Sequence, residues 1–217
     1  MLVIDLSQTI HPDMPCYPGT PQPVFQQLSS IEKDGYAEQL LTLSSHTGTH
    51  VDLPSHILPE GNSLDALSLD RFTGKGFAID LRALVCGVIS PGELQAYEVQ
   101  LQECDFLLLC SGWSEYWGRG EYYTGYPVLS PEAALWLTGF HLKGIGVDMI
   151  SVDSSDSVDF SVHSMLLRSG ILIIENLADL SSLLHSTFIF SCFPLKIAQA
   201  EAAPLRAVAL VDEVSHR

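Results

Sequence analysis

The sequence predicts an α/β fold built on a mixed sheet, and three observations carry that expectation. Short segments rich in Ile, Val and Leu recur along the chain, several of them continuously apolar rather than alternating. Such runs belong to strands covered on both faces. Segments with helix-start chemistry lie between them, and Pro and Gly punctuate the chain regularly, as alternating strands and helices require. With 217 residues, 47% of them apolar, and no internal repeat or low-complexity linker, residues 1–217 read as one domain.

The expected strands, in order, are LVIDLS from Leu2, EQLLTLSS from Glu38, GFAIDL from Gly76, DFLLLC from Asp105, GIGVD from Gly144, ILIIE from Ile171 and RAVALV from Arg206. Helix starts are equally local. Ser90 precedes Pro91 and stands three residues before Glu93, which is the pattern of a capping box with Pro at the first helical position. Ser130-Pro131-Glu132 opens a second helix, EAALWLTGF. A third, SVHSMLLRS from Ser161, stops at Gly170, a residue suited to the left-handed C-terminal cap. No G-x-G-x-x-G follows a strand, which argues against a dinucleotide-binding domain.

Charge and cysteine usage narrow the partners. Asp and Glu number 26 against 10 Lys and Arg, a formal charge of −16. Nucleic acids and anionic membranes require a positive surface, so neither is expected as a partner, and the balance otherwise favours only solubility. No run approaches the roughly 20 apolar residues of a membrane span. The opening MLVIDLSQTI has no basic segment and no long apolar stretch, unlike a signal peptide. Five scattered cysteines without a CxxC pair fit free thiols in a reducing compartment, and a cytoplasmic location is expected.

The chemistry concentrates in HTGTHVDLPSH, where His46, His50, Asp52 and His56 fall within eleven residues of a chain that has eight histidines. Nitrogen and oxygen donors at that density match a transition-metal site. On a helix, His46 and His50 would share a face. Thr-Gly-Thr forms helix poorly, however, and the preceding LLTLSS looks extended. In a strand, positions 46, 48, 50 and 52 point to one side, and Gly48 leaves room for an ion or bends the backbone around it. Leu53 precedes Pro54, which disfavours helix there. The extended reading is preferred.

Further ligands must come from elsewhere, and His163 and Glu175 are the candidates. From His163 the helix falls about 10 Å to Gly170 at ~1.5 Å per residue. The strand ILIIE then climbs about 16 Å at ~3.3 Å per residue, returning Glu175 to the same rim. A carboxylate leaving so apolar a strand calls for a positive partner. Asp153, Asp156 and Asp159 read as a solvated or helix-capping turn. Trp113, Tyr116 and Trp117 read as core or subunit contacts, and His11, His141, His185 and His216 as structural or surface residues.

HTGTHVDLPSH resembles the signature H-x-G-T-H-x-D-x-P-x-H of the cyclase-like metal-dependent hydrolases, a family that includes bacterial kynurenine formamidase and isatin hydrolase. DLSQTIHPDMPCYPGTP, CSGWSEYW, GVDMISVD, VHSMLLRSGILIIENL, PLKI and PLRAVAL resemble further family segments in the same order, so the likeness spans nearly the whole chain. It implies a swivelling β/β/α-type fold, usually a homodimer or higher homo-oligomer. It also implies two divalent ions per chain, zinc or manganese. His46 and His50 would bind the first and His163 the second, with Asp52 and Glu175 shared, and His56 would be the general acid/base. Tyr17 falls where formamidase members place a substrate-contacting Trp. Ser111, Ser161 and the loop Ala198–Ala202 also depart from the family pattern.

The chemistry this implies is hydrolysis of an amide, formamide or lactam by metal-activated water. The same ligands would serve a metal-dependent cyclase or dehydratase, or a small-molecule binding protein that uses metal only for stability. A histidine beside the cluster that is not itself a ligand favours an enzyme.

Overall fold

In the computed structural model, which describes residues 1–84 and 87–212, every segment expected to be a strand contains one. The strands are β1 (Leu2–Asp5), β2 (Val24–Ser29), β3 (Glu38–Thr42), β4 (His50–Asp52), β5 (Thr73–Asp80), β6 (Val88–Ile89), β7 (Phe106–Cys110), β8 (Val128–Leu129), β9 (Gly144–Val147), β10 (Leu172–Glu175), β11 (Phe188–Pro194) and β12 (Ala202–Val211). The helices are α1 (Ile31–Asp34), α2 (Pro54–Ile57), α3 (Pro91–Gln95), α4 (Glu98–Glu103), α5 (Pro131–Leu137) and α6 (Ser161–Arg168). The capping box at Ser90 forms as expected, and the Ser130 hydroxyl caps α5 by accepting from the Ala133 N–H. Among the described residues no helix is long and apolar enough to cross a membrane.

The main sheet runs β1-β12-β11-β5-β7-β9-β10-β4, and β4 pairs again with β12, closing a barrel-like ring of seven strands. Strands β5, β7, β9 and β10 are parallel neighbours, while β4, β11 and β12 pair antiparallel, so the sheet is mixed. Alternation along each strand separates two cores. Phe106, Leu108, Ile174, Phe190 and Ala203 point to one face, and Leu107, Leu109, Ile145 and Ile173 to the other, where helix residues Leu94, Ala134 and Leu166 cover them. The continuously apolar strands therefore have the physical cause expected of them. The first face is tight. A Cβ at Gly144 or Gly146 would come within 2.9 Å of Phe106 or 2.5 Å of Leu108, so the barrel interior has room only for glycine there.

Two small ribbons, β2–β3 and β6–β8, lie outside this ring. Trp113 is buried in the helix-covered core, as expected. Cys16, Cys104, Cys110 and Cys192 are free thiols, and Cys86 and His216 lie outside the described residues.

Candidate metal centre

Strand β4 is short because the backbone turns at Gly48, whose φ of 64° lies in the left-handed region. His46 thus sits on a turn before the strand, not on its face, and the extended reading holds only from His50 onward. Of the two roles expected of Gly48, bending the backbone is the one observed. From His50 the pleat does the placing. Val51 enters the barrel core, so His50 and Asp52 point the other way, toward α6. Register sets His50 opposite Glu175 and Asp52 opposite Ile173 on β10. On its other side Asp52 faces Ala202 of β12. Leu53 is extended, as its position before Pro54 requires, and Pro54 opens the short α2 that carries His56.

Helix α6 supplies His163 through an unforeseen device. Asp153 is buried, and its carboxylate accepts from the backbone N–H groups of Val162 and His163, both at 3.0 Å. It also pairs with His163 Nδ1 at 2.6 Å, which turns Nε2 toward the cluster. Capping was one expected role for this acidic turn; orienting the histidine was not expected. Phe160, which precedes the helix, has a φ of 46°, and its ring stands edge-on to His163 at 5.9 Å. Holding an aromatic residue in that region costs on the order of 1–3 kcal/mol.

All the expected site residues meet at one cavity of about 170 Å³, lined by Tyr17, His46, His50, Asp52, His56, His163 and Glu175 together with Phe160 and Asn176. Asp52 Oδ1 lies 2.8 Å from His46 Nδ1 and 3.4 Å from His50 Nε2, and its Oδ2 lies 3.4 Å from His163 Nε2. Glu175 reaches His163 Nε2 at 3.3 Å and His50 Nε2 at 3.6 Å. Donor atoms bound at about 2.1 Å around a tetrahedral ion are themselves roughly 3.4 Å apart, so these spacings suit a coordination shell.

The fit is also chemical. His50 Nε2, Asp52 Oδ1 and Glu175 Oε1 are buried without a hydrogen-bond partner. Leaving such atoms unsatisfied costs about 1–3 kcal/mol each, and more when charged, unless a cation joins them. Among the described residues two donor groups have atoms close enough to hold an ion: His50 with Asp52 and Glu175, and His46 with Asp52 and His56. Asp52 belongs to both. His56 stands 4.4 Å from His46, ring centre to ring centre, within ligand reach of the second group.

Without a cation the carboxylates hold protons on the imidazoles. Burial works against charge on His50, but Asp52 and Glu175 outweigh it and raise its pKa to about 9. Burial opposes charge on His163 too, yet the hydrogen bond with Asp153 and the nearby Asp52 and Glu175 carboxylates hold its pKa well above the ordinary histidine value. Asp52, despite its burial, is kept well below the usual carboxylate range by the three histidines around it. His56 moves the other way: burial, reinforced by its imidazole neighbours, lowers its pKa.

Sequence reasoning missed Asp153, Phe160 and Asn176 as parts of this site. Only Asp153 carried a usable signal, because a ligand histidine needs a second-side acceptor and the nearest upstream acids lay in that turn.

Residues 4–154 match the model of the "putative cyclase" family. A protein of Methanocaldococcus jannaschii with no assigned function is 32% identical over 214 residues, 97% of this chain and all of the relative. The kynurenine formamidase of Salinibacter ruber is 31% identical over 210 residues, 96% of this chain and 97% of its own. The crystal structure of an isatin hydrolase bound to the product analogue thioisatinate has the same fold, with a TM-score of 0.87 at 23% identity over 96% of this chain and 92% of that one. A fold, a donor cluster and a sequence likeness that agree over this length place the chain in the cyclase family of metal-dependent hydrolases.

Proposed function

We propose that this protein hydrolyses an amide, formamide or lactam bond, a C–N bond other than a peptide bond, in a small molecule. The observation that carries this reading is the convergence of three buried, unpartnered ligand atoms at the floor of a cavity. The likeness to a kynurenine formamidase supports the bond class. Residues 1–217 form one catalytic domain in this reading, in a cytoplasmic protein. His46 and His50 would hold one divalent ion and His163 a second, with Asp52 and Glu175 available to both, and zinc and manganese both suit these N and O donors.

When bound, such an ion would supply acidification of water toward a pKa of about 7 and polarisation of the scissile carbonyl. The remaining work falls to the chain. His56, with a pKa lowered by burial, is a neutral imidazole at neutral pH and can accept the proton that water gives up. It then returns that proton to the leaving nitrogen. Asp153 keeps His163 in one tautomer through its Nδ1 contact. Tyr17, half-buried on the cavity wall, offers an aromatic face to the substrate. The exposed β2–β3 ribbon supports assembly as a homodimer or larger homo-oligomer.

Elemental analysis with an assay on the formamide of kynurenine and on isatin tests the reading. The expected result is two divalent ions per chain and net addition of one water, giving a ring-opened product heavier by one water from isatin and the free amine plus formate from the formamide, with turnover stopped by a chelator and restored by zinc or manganese. A product lighter by one water would assign a dehydratase or cyclase instead. Full metal content with no turnover on a wide panel of amides and lactams would leave a binding protein.

A further inference from the structure

Asn176, the residue after Glu175, has a backbone that polar side chains tolerate but rarely adopt, with φ at 58°. It is buried, yet each of its polar groups is engaged. Its side-chain Nδ2 donates to the Gly48 carbonyl at 3.0 Å, and its Oδ1 accepts from the Tyr122 hydroxyl at 2.7 Å. Its backbone N–H donates to Met149, and its carbonyl accepts from the Thr49 hydroxyl. Asn176 is thus tied to both residues that precede His50.

The Gly48 carbonyl has a second donor. His50 Nδ1 lies 2.8 Å from it and must donate in that contact, so Nε2, which faces the unpartnered Asp52 and Glu175 oxygens, is the nitrogen available to a metal. The direction of the amide is not arbitrary. Turned over, Oδ1 would face the Gly48 carbonyl, acceptor against acceptor, at 3.0 Å. The Tyr122 O–H, on a ring that is fully buried, donates to Oδ1 and fixes the orientation that works.

We propose that Tyr122 and Asn176 form a clamp on the Gly48 carbonyl that fixes the tautomer and direction of His50 as a metal ligand. They are positioning residues for the metal centre. The two histidines are then held by different means, His163 by a carboxylate and His50 by a clamped backbone carbonyl. The inference rests on the metal-centre reading above.

Two variants test it. Asn176→Gly removes the amide but accepts φ at 58° without strain, and Tyr122→Phe removes only the orienting hydroxyl. Each is compared with wild type by competition against a chromophoric chelator for zinc and for manganese, and by the melting temperature of metal-stripped protein. Loss of such a supporting contact lowers metal affinity roughly 10- to 100-fold. The expected result is a loss in that range for Asn176→Gly and a smaller loss for Tyr122→Phe. Wild-type metal affinity in both variants, with or without a lower melting temperature, would make the network purely structural and overturn the clamp. A wild-type protein that binds neither metal would overturn the metal centre itself.

Discussion

His56 is the residue on which the reading as an enzyme depends most. It lies among imidazoles, 4.4 Å from the His46 ring and 6.0 Å from that of His163, on a helix separate from the ligand strand. As acid/base it should be dispensable for metal and essential for rate. His56→Asn is expected to keep metal content and melting temperature while kcat falls by about 10²- to 10⁴-fold; lost metal would make it a ligand. His50 makes a prediction of opposite character. Its pKa of about 9 in the ion-free cluster means that a metal must displace a proton at pH 7.5. Titration calorimetry in buffers of different ionisation enthalpy should show that release, and apparent affinity should rise with pH up to about 9. Because this pKa is raised, the histidine's contribution to the metal-free fold is complete below its unfolded value of about 6.5 and is lost as pH rises through about 9. Chelated protein should therefore melt at lower temperature at pH 10 than at pH 7. That His46, His50 and Asp52 meet at one cavity was legible in the sequence because they lie within seven residues of one another. Asn176 and Phe160 were not, because a single amide or aromatic means something only through what it touches.

At the level of elements, the site depends on where three of them end. Strand β4 starts at a glycine bend, β10 ends on Glu175, and α6 begins under the Asp153 carboxylate. The helix–strand return that brings His163 and Glu175 to one rim could be read from residue spacing, because rise per residue is a property of the backbone. Which acid caps the helix could not be read, since Asp153, Asp156 and Asp159 look alike in sequence, and only burial separates the first from the other two. Strands β2, β6, β8 and β11 also went unread. The first is mostly exposed and half polar, two have only two residues, and FIFSCFP is broken by Ser191 and ends in Pro194. Asp153→Ala should cost both of that residue's roles. Losing a cap is worth about 0.5–2 kcal/mol, so the metal-free protein should melt earlier. Losing the His163 contact should weaken metal binding in addition. Asp153→Asn, which can still cap, should recover most of the stability and less of the metal affinity. Equal recovery of both would show that the carboxylate acts only as a cap.

For the whole molecule, the part left unexplained by a single chain is the β2–β3 ribbon. Its strands pair with one another and with no strand of the barrel. Every residue of β3 is exposed, on both faces of the ribbon, although Leu40 and Leu41 are apolar and point to opposite sides. Val24, Leu28, Ile31, Leu40 and Leu41 are each at least 48% exposed. An isolated two-stranded ribbon is marginal in water, and a group of exposed apolar side chains marks a contact surface. A second copy of the chain would cover both faces and satisfy the oligomer that the family resemblance implies. Light scattering should then give a mass at least twice the 23.7 kDa of one chain. Placing a carboxylate on each face, as Leu40→Glu with Leu41→Glu, should shift the protein toward monomer, because a buried unpaired charge is far costlier than an exposed one. The barrel shares no core residue with the ribbon, so metal content per chain should hold in the monomer. Wild-type protein that stays monomeric at tens of micromolar would leave the ribbon without a partner of its own kind.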